Sequence, residues 1–353
     1  MTTTRMKTTS RALGFDKQTL KTALRQASVL ACLVLLFTGL AVLAKLSPVS
    51  LPPNASEVLV RVSPGMTSAD IAKCLAGHGL VKSEYLFVIL SRIVGLDQRL
   101  KAGYYKLASS MSTFQILKEL RDGRVVVVTF TVPEGATNAE IASILEAKGL
   151  VDDAAGFERA ARDNQGFLFP ATYRVFYGAS EEDIINVMLT KFKSEVLPLY
   201  EAAKKKGETR SLKDIITLAS LVEKEARVGR ERPLIAGVFM NRLRLGMPLQ
   251  SCATVEYALS EGKNRRKSKL TIEDLGIESP YNTYLHRGLP PGPIANPGLD
   301  SIEAALNPAR VDYLFFVANG DGTHTFSRTY REHLLAARKA NLRPGPDTRA
   351  RIR

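Results

Sequence analysis

The chain carries the segment VSPGMTSADIAKCLAGHGLV at residues 62–81 and repeats it 70 residues later as VPEGATNAEIASILEAKGLV at 132–151, with ten identities in twenty positions. In both copies an alternating apolar stretch leads through a glycine turn into a capping box, the side-chain pairing that starts many helices. The capping pairs are Thr67 with Asp70 and Thr137 with Glu140. The sequence therefore predicts a duplicated strand-turn-helix unit.

Three further elements are predicted between the copies: a helix at 84–94, a strand centred on 103–107 and a helix at 112–121. With the first copy, the first two of these form a compact β-α-α-β unit, which resembles the LysM-like module of carbohydrate-binding cell-wall proteins. Fold analogy does not establish a ligand. A small α+β spacer that positions the next domain is therefore as well supported as a carbohydrate-binding module. We expect a LysM-like region with internal duplication at 57–154.

Residues 27–44 are eighteen consecutive residues without a charge. At about 1.5 Å per residue a helix of this length spans roughly 27 Å, close to the thickness of a bilayer core. Lys17, Lys21 and Arg25 precede the stretch and only Lys45 follows closely, so the positive-inside rule places the N-terminus in the cytoplasm and the rest of the chain outside. We predict a single-pass protein of the cytoplasmic (inner) membrane, with a cleaved signal peptide and a buried core helix as alternatives.

The predicted fold class is α+β, organised in six segments. These are a cytoplasmic tail at 1–26, a transmembrane helix at 27–44, a Pro/Ser/Asn linker at 45–56, the LysM-like region at 57–154, a second α+β domain at 155–342 and a basic tail at 343–353. Helices of the second domain are predicted at 180–207, 211–228, 231–246 and 330–340, with a strand at 312–320. The Pro- and Gly-rich segment 279–298 predicts a rigid loop of the kind that lines a binding cleft.

The formal net charge is +14, from 49 Lys and Arg against 35 Asp and Glu. Most of the excess is peripheral, because residues 1–26, residues 331–353 and the run KNRRKSK at 263–269 each carry +5. The rest is nearly neutral, so no basic face for nucleic acid is expected, and the run at 263–269 is interpreted as a solvated loop. The four histidines lack partners at metal-binding spacings, so neither a metal nor another cofactor is expected.

The stretch LASLVEKEA at 218–226 places two carboxylates, Glu223 and Glu225, in an apolar setting. Burial raises the pKa of a glutamate and makes it a candidate general acid near neutral pH. The two side chains lie about 200° apart around a helix, and periodicity does not choose between them. A surface role, such as an ion pair of Glu223 with Arg227 one turn later, is the alternative.

An ordered set of motifs carries a resemblance to a known family. They read ASLVEKEA (219–226), RER (230–232), GVFMNRLRLGMPLQ (237–250), ATVEYAL (253–259), YNTY (281–284), GLPPGPIANPG (288–298) and YLFFVANGDGTHTFS (313–327). Over roughly residues 60–340 the chain resembles the endolytic murein transglycosylases, the YceG-like proteins. The resemblance implies a YceG-like catalytic domain in which the second glutamate of EKE, Glu225, is the catalytic acid.

The activity implied by the resemblance is that of a lyase. It cuts the β-1,4 bond between N-acetylmuramic acid and N-acetylglucosamine in nascent peptidoglycan strands and leaves a 1,6-anhydromuramyl end. Glu225 would first donate its proton to the leaving glycosidic oxygen and then, as a carboxylate, accept the proton of the sugar's C6 hydroxyl, which closes onto C1. The expected partners are glycan strands and peptidoglycan synthases of the penicillin-binding class.

Six neutral hydrogen-bonding residues in the matching motifs are candidates for binding sugar hydroxyl and acetamido groups. They are Asn241, Gln250, Thr254, Tyr281, Asn282 and Thr283. For each of them taken singly, a structural role such as turn capping is at least as well supported by the sequence.

The chain departs from the family pattern at two acidic positions. The family usually has an acidic residue before its Thr-Val pair, where this chain has Cys252 and Ala253, and it commonly reads FPDTY where this chain has Ala171. These losses support an alternative, a non-catalytic scaffold that binds the cell wall. A muramidase-type hydrolase is the other alternative; it needs a second carboxylate, for which Glu223, Glu231 and Glu256 are available.

Overall fold

The computed structural model describes residues 17–52, 54–260 and 270–340. The chain divides into two compact units, the first ending at Val126 and the second beginning at Val127. This division separates the two copies of the repeat, whereas the predicted segment 57–154 joins them. The basic run 263–269 and the tail 343–353 lie outside the described residues.

The first unit contains one β-α-α-β arrangement preceded by a long helix and followed by a short one. Its elements are α1 (Lys17–Leu46), β1 (Glu57–Val62), α2 (Ser68–Gly77), α3 (Glu84–Ile93), β2 (Gly103–Ala108) and α4 (Thr113–Asp122). Strands β1 and β2 pair antiparallel, with Val60 opposite Tyr105. The predicted helices and strands of this region are therefore confirmed, each to within about one residue.

Helix α1 contains the predicted membrane span. Within the described residues, its part from Lys21 to Leu46 is the one helix long and apolar enough to cross a bilayer. Its apolar side chains are exposed, as Leu35 and Phe37 show with 72% and 78% of their surface accessible. This exposure excludes a core helix, and since a signal sequence has the same character, anchoring stays a prediction.

The second unit begins with another β-α-α-β arrangement. Its elements are β3 (Val127–Thr131), α5 (Asn138–Ala147), α6 (Ala154–Ala161) and β4 (Thr172–Phe176), and β3 pairs antiparallel with β4. The first three of these begin 70 residues after β1, α2 and α3. Sequence identity revealed only the strand and first helix of each copy, so strand β4 and helix α6 were not predicted.

Two tyrosines show that the duplication extends through the fourth element. Tyr105 lies opposite Val60 in the first copy, and Tyr173 lies opposite Phe130 in the second. Each hydroxyl is the donor in a hydrogen bond to the carbonyl oxygen four residues earlier along the chain. The two copies therefore share this geometry although their sequences differ here. The likeness of the copies to LysM modules stays a prediction.

Each copy has its own core, built from equivalent side chains. The pairs Ile71 and Ile141, Leu75 and Leu145, and Phe87 and Phe157 are all at most 1% exposed. Burying a side chain of this size stabilises the fold by about 1.5–3 kcal/mol. These residues recur because α2 and α3 in the first copy, and α5 and α6 in the second, place their apolar faces in one cluster with the strand residues.

The rest of the second unit is mainly helical. It contains α7 (Glu181–Lys205), α8 (Leu212–Glu225), α9 (Arg232–Arg244), α10 (Cys252–Ser260), α11 (Leu299–Leu306), β5 (Phe315–Ala318), β6 (His324–Ser327) and α12 (Tyr330–Lys339). Helices α7, α8, α9 and α12 and strand β5 were predicted, whereas α10, α11 and β6 were not. Helix α8 is central, because every residue from Ile215 to Val222 is buried.

A single buried amide joins the second β-α-α-β arrangement to the Pro-rich loop. The Nδ2 group of Asn296 donates to the Ala136 carbonyl oxygen at 2.9 Å and to Asn138 Oδ1 at 3.0 Å. Its Oδ1 accepts hydrogen bonds from the backbone N–H groups of Gly166 and Leu168, both at 2.9 Å. Asn296 is 0% exposed, so all four bonds are shielded from water.

We expect Asn296→Ala to lower the free energy of unfolding by about 2–4 kcal/mol, because it leaves several buried polar groups without partners. Chemical denaturation of the detergent-solubilised full chain measures this loss. Asn307→Ala is the matched control, since Asn307 is exposed and its side chain bonds within its own helix turn. Equal losses in the two variants would contradict the role assigned to Asn296.

Candidate active site

The carboxyl end of helix α8 delivers two glutamates to a cavity of about 550 Å³. The helix starts with a capping box at Ser211 and Asp214 and ends where Ala226 turns to an extended conformation. Its buried middle fixes the direction of its last turn. The cavity is lined by Glu134, Gly135, Glu223, Lys224, Glu225, Ala226, Arg227, Cys252, Ala253, Glu256, Ala318 and His324.

Glu225 combines burial with hydrogen-bond donors to its carboxylate. Its Oε1 accepts a hydrogen bond of 2.5 Å from the hydroxyl of Ser251. Burial raises the pKa of Glu225, and the charge of Glu256 adds to the rise. The Ser251 hydroxyl, the charge of His324 and the backbone N–H of Ala253 each lower that pKa. Burial is the largest effect, so the protonated form is favoured while donors for the ionised form are in place.

Glu223 has partners of its own on another side of the helix. Its Oε2 accepts a hydrogen bond of 3.0 Å from the backbone N–H of Gly298, and its Oε1 lies 3.6 Å from the Arg232 guanidinium. Its side chain is 8% exposed. Glu223 therefore ties helix α8 to the start of helix α11. The assignment of Glu225 as the acid stays a prediction.

A strained residue aims Ser251 at Glu225. Gln250 has a φ of 54°, in the left-handed region that side-chain-bearing residues rarely adopt. Its N–H donates to the Thr283 carbonyl oxygen at 3.1 Å, and the N–H of Ser251 donates to Thr283 Oγ1 at 3.0 Å. Helix α10 begins at the next residue, and the backbone N–H of Ala253 in its first turn bonds to Glu225. Backbone strain of this kind is typical of functional sites.

The six predicted substrate-binding residues lie around this turn rather than on the cavity wall. Asn241 donates to the carbonyl oxygens of Val311 and Tyr313, and Asn282 donates to those of Leu275 and Ile277. Thr254 and Thr283 are buried and share a hydrogen bond of 2.8 Å. The ring of Tyr281 packs against Tyr257, and Gln250 accepts a hydrogen bond from Arg242. These contacts support the structural roles weighed above, and substrate contact stays a prediction for all six.

The sequence did not single out Ser251, His324 or Glu134 as site residues. Ser251 lies between two quoted motifs, and His324 lies inside the last one. Glu134 belongs to the turn of the second repeat copy, and burial raises its pKa, helped by Glu223 and Asp300 and opposed by Arg232. No local sequence pattern reveals these residues, because the segments that they bring together at the site are distant in the sequence.

Two of the residues that depart from the family pattern, Cys252 and Ala253, also face the cavity, whereas Ala171 packs against the hydrophobic cores. Cys252 Sγ lies 3.2 Å from the hydroxyl of Tyr284, and desolvation of the sulfur raises the pKa of this thiol. Ala253 still supplies a backbone N–H to Glu225. Throughout the described residues, no group of three His, Cys, Asp or Glu side chains is placed to hold a metal ion.

Comparison with known proteins gives consistent matches. Residues 60–339 match the YceG-like family. The chain is 33% identical over 331 residues to the endolytic murein transglycosylase of Streptococcus pneumoniae strain D39, covering 80% of this chain and 59% of the relative. It is 35% identical over 314 residues to that of Bacillus subtilis strain 168, covering 81% of this chain and 85% of the relative. The chain thus spans less than two thirds of the streptococcal relative.

A solved structure is similar as well. The crystal structure of a YceG-like protein from Listeria monocytogenes is 33% identical and superposes with a TM-score of 0.51. The similarity covers 79% of this chain and 98% of that chain.

We expect Glu225→Gln to stabilise the fold at high pH, with a rise in Tm of about 2–4 °C at pH 8. Because the folded-state pKa of Glu225 is raised, the wild type is most stable below the unfolded-state pKa of about 4.3 and loses stability as pH rises through the folded-state pKa. Glutamine does not titrate, so the gain over wild type should vanish below about pH 4.

Thermal unfolding of the full chain between pH 4 and pH 8 measures this gain. The control is Glu303→Gln, because Glu303 is exposed on helix α11. A gain that is the same at every pH, or one shared by the control, would show that burial of Glu225 is not its cause.

Proposed function

Because the chain belongs to the YceG-like family, we propose that it is a membrane-anchored endolytic transglycosylase that cuts peptidoglycan strands. Relatives at 33–35% identity bear the name endolytic murein transglycosylase. The observation that carries the proposal is Glu225, a carboxyl group with a raised pKa on the wall of a 550 Å³ cavity. Such a group is suited to donate a proton near neutral pH.

In the first half of the reaction Glu225 is the general acid. Its proton passes to the glycosidic oxygen as the bond from that oxygen to C1 of the N-acetylmuramic acid breaks. Burial favours the protonated starting form, and the apolar middle of helix α8 keeps the carboxyl group fixed. Positive charge develops on the sugar ring while Glu225 becomes negative.

In the second half Glu225 is the general base. The C6 hydroxyl of the same sugar loses its proton to the carboxylate, and its oxygen bonds to C1, which gives the 1,6-anhydro end. The donors at Ser251 and Ala253 support the ionised form in the interval between the two transfers. The nucleophile belongs to the substrate, so its attack is intramolecular and needs no second catalytic carboxylate.

The competing hydrolase reaction would need a carboxylate that activates water. Glu223 is bound to Gly298 and Arg232, and Glu231 is bound to His324. Glu256 lines the cavity and is therefore the carboxylate that a hydrolase would use. The arrangement favours the lyase, with Glu225 in both roles.

Two further parts of the proposal concern location and binding. Helix α1 would anchor the chain in the cytoplasmic membrane, with both compact units on the outer side, where nascent glycan is made. The two β-α-α-β copies would act as LysM-like modules that hold glycan strands. Peptidoglycan synthases of the penicillin-binding class are the proposed protein partners, because they produce those strands.

We expect the full chain to release peptidoglycan fragments with anhydro ends, lighter by one water than hydrolytic products. Glu225→Gln should lower the rate at least about a hundredfold, because it removes the titrating proton while keeping the shape. Mass spectrometry of digested glycan strands measures both, with Glu303→Gln as the active control. Reducing ends would identify a hydrolase, and a wild type without products would support the scaffold.

We expect the chain to stay with membranes during an alkaline carbonate wash, and a deletion of residues 27–44 to release it. Protease added to spheroplasts should digest the chain beyond residue 46 and spare an N-terminal tag. Release of the intact chain by the wash would contradict the anchor. Digestion of the tag would contradict the orientation.

A further inference from the structure

A buried glutamate and histidine pair, Glu231 and His324, places its histidine on the wall of the cavity that holds Glu225. His324 lies in strand β6 and lines the cavity together with Glu225. Its Nδ1 lies 2.8 Å from Glu231 Oε2, and its backbone N–H donates to Glu231 Oε1 at 3.2 Å. The two side chains are 7% and 8% exposed. Both carboxylate oxygens of Glu231 are therefore bonded to the same residue, His324.

These contacts fix the histidine ring before any substrate arrives. Because Nδ1 is bonded to a carboxylate, it is the ring nitrogen that carries a proton toward Glu231. Nε2 is the ring nitrogen that Glu231 does not engage. Phe316 packs perpendicular to the ring at a centroid distance of 5.4 Å, and Phe326 lies at 6.3 Å. Glu231 in turn stands at the N-cap position of helix α9, whose dipole favours a negative charge there.

We propose that His324, held by Glu231, is a positioning residue that stabilises the carboxylate form of Glu225 between the two proton transfers. The inference rests on the proposed function, because it assumes that Glu225 passes through that form. His324 acts through charge and exchanges no proton with the sugar. Glu231 is its counter-ion and its orienting group.

The carboxylates around the cavity set the charge that His324 would offset. Three other carboxylates, Glu134, Glu223 and Glu256, line the same cavity as Glu225. When Glu225 gives up its proton, a further negative charge appears among them. The charge of His324 lowers the pKa of Glu225, opposite to the effect of Glu256. The other titratable or cationic groups facing the cavity are Lys224, Arg227 and Cys252.

The test is the pH dependence of kcat/KM for anhydro-end formation by the full chain, in wild type and His324→Gln. Removing the imidazole removes an attraction that lowers the pKa of Glu225, so this pKa rises further. The alkaline limb of the pH profile should therefore shift to higher pH by about one unit. The value of kcat at neutral pH should fall by up to about tenfold, because Glu225 becomes a weaker acid.

Glu231→Gln should displace the limb in the same direction, since it removes the counter-ion of His324. His286→Gln is the matched control, because His286 is exposed and lies off the cavity wall, and its profile should equal that of wild type. A uniform loss of rate in His324→Gln, with the limb in place, would assign His324 a merely structural role. An unchanged profile in a variant with wild-type Tm would also overturn the inference.

Glu225→Gln separates this inference from the proposed function. If that variant keeps its activity, the role of Glu225 is wrong, whatever His324 does. If it is inactive while His324→Gln keeps the wild-type pH profile, only the role of His324 is wrong.

Discussion

The buried amide of Asn296 is the contact on which the candidate active site depends. It binds four groups from the second β-α-α-β arrangement and the segment at 166–168, and its own backbone bonds to Gly135 and Ala136. The Pro-rich loop can therefore take one position only. That loop supplies Gly298, whose N–H holds Glu223. Since a buried amide must satisfy all its donors and acceptors, the position of each bonded segment is specified together with the others.

The chemistry proposed for Glu225 sets two opposite requirements. A general acid near neutral pH needs burial, which penalises the carboxylate, whereas a general base needs that carboxylate to be tolerated. The structure meets the first through helix α8 and the second through groups that arrive from elsewhere, at Ser251, Ala253 and His324. Separating the two requirements between different elements allows each to be adjusted without moving the glutamate. The strained backbone at Gln250 is the conformational cost of bringing in two of these groups.

The sequence predicted most elements that are long or strongly patterned, and it predicted Glu225 through its motif. Helices α10 and α11 were missed because they are short, at nine and eight residues, and lie before and after the Pro- and Gly-rich segment 279–298. Strand β4 was missed because TYRVF at 172–176 pairs with a partner about 45 residues earlier, which local periodicity does not show. Ser251, Glu231 and His324 are brought together by tertiary contacts between segments up to 93 residues apart, so only the fold could assign them to one site.

The duplication also explains how a small module became part of the candidate active site. The turn of the first copy reads SPG at 63–65, and that of the second reads PEG at 133–135. In the second copy Glu134 lines the cavity, and the Gly135 carbonyl accepts a hydrogen bond of 2.9 Å from Lys224, next to Glu225. A copy with a complete core of its own could change this turn without losing stability, because the turn lies outside the packed residues. Duplication thus allowed the turn of the second copy to contribute to the candidate site, while the first copy has a different turn.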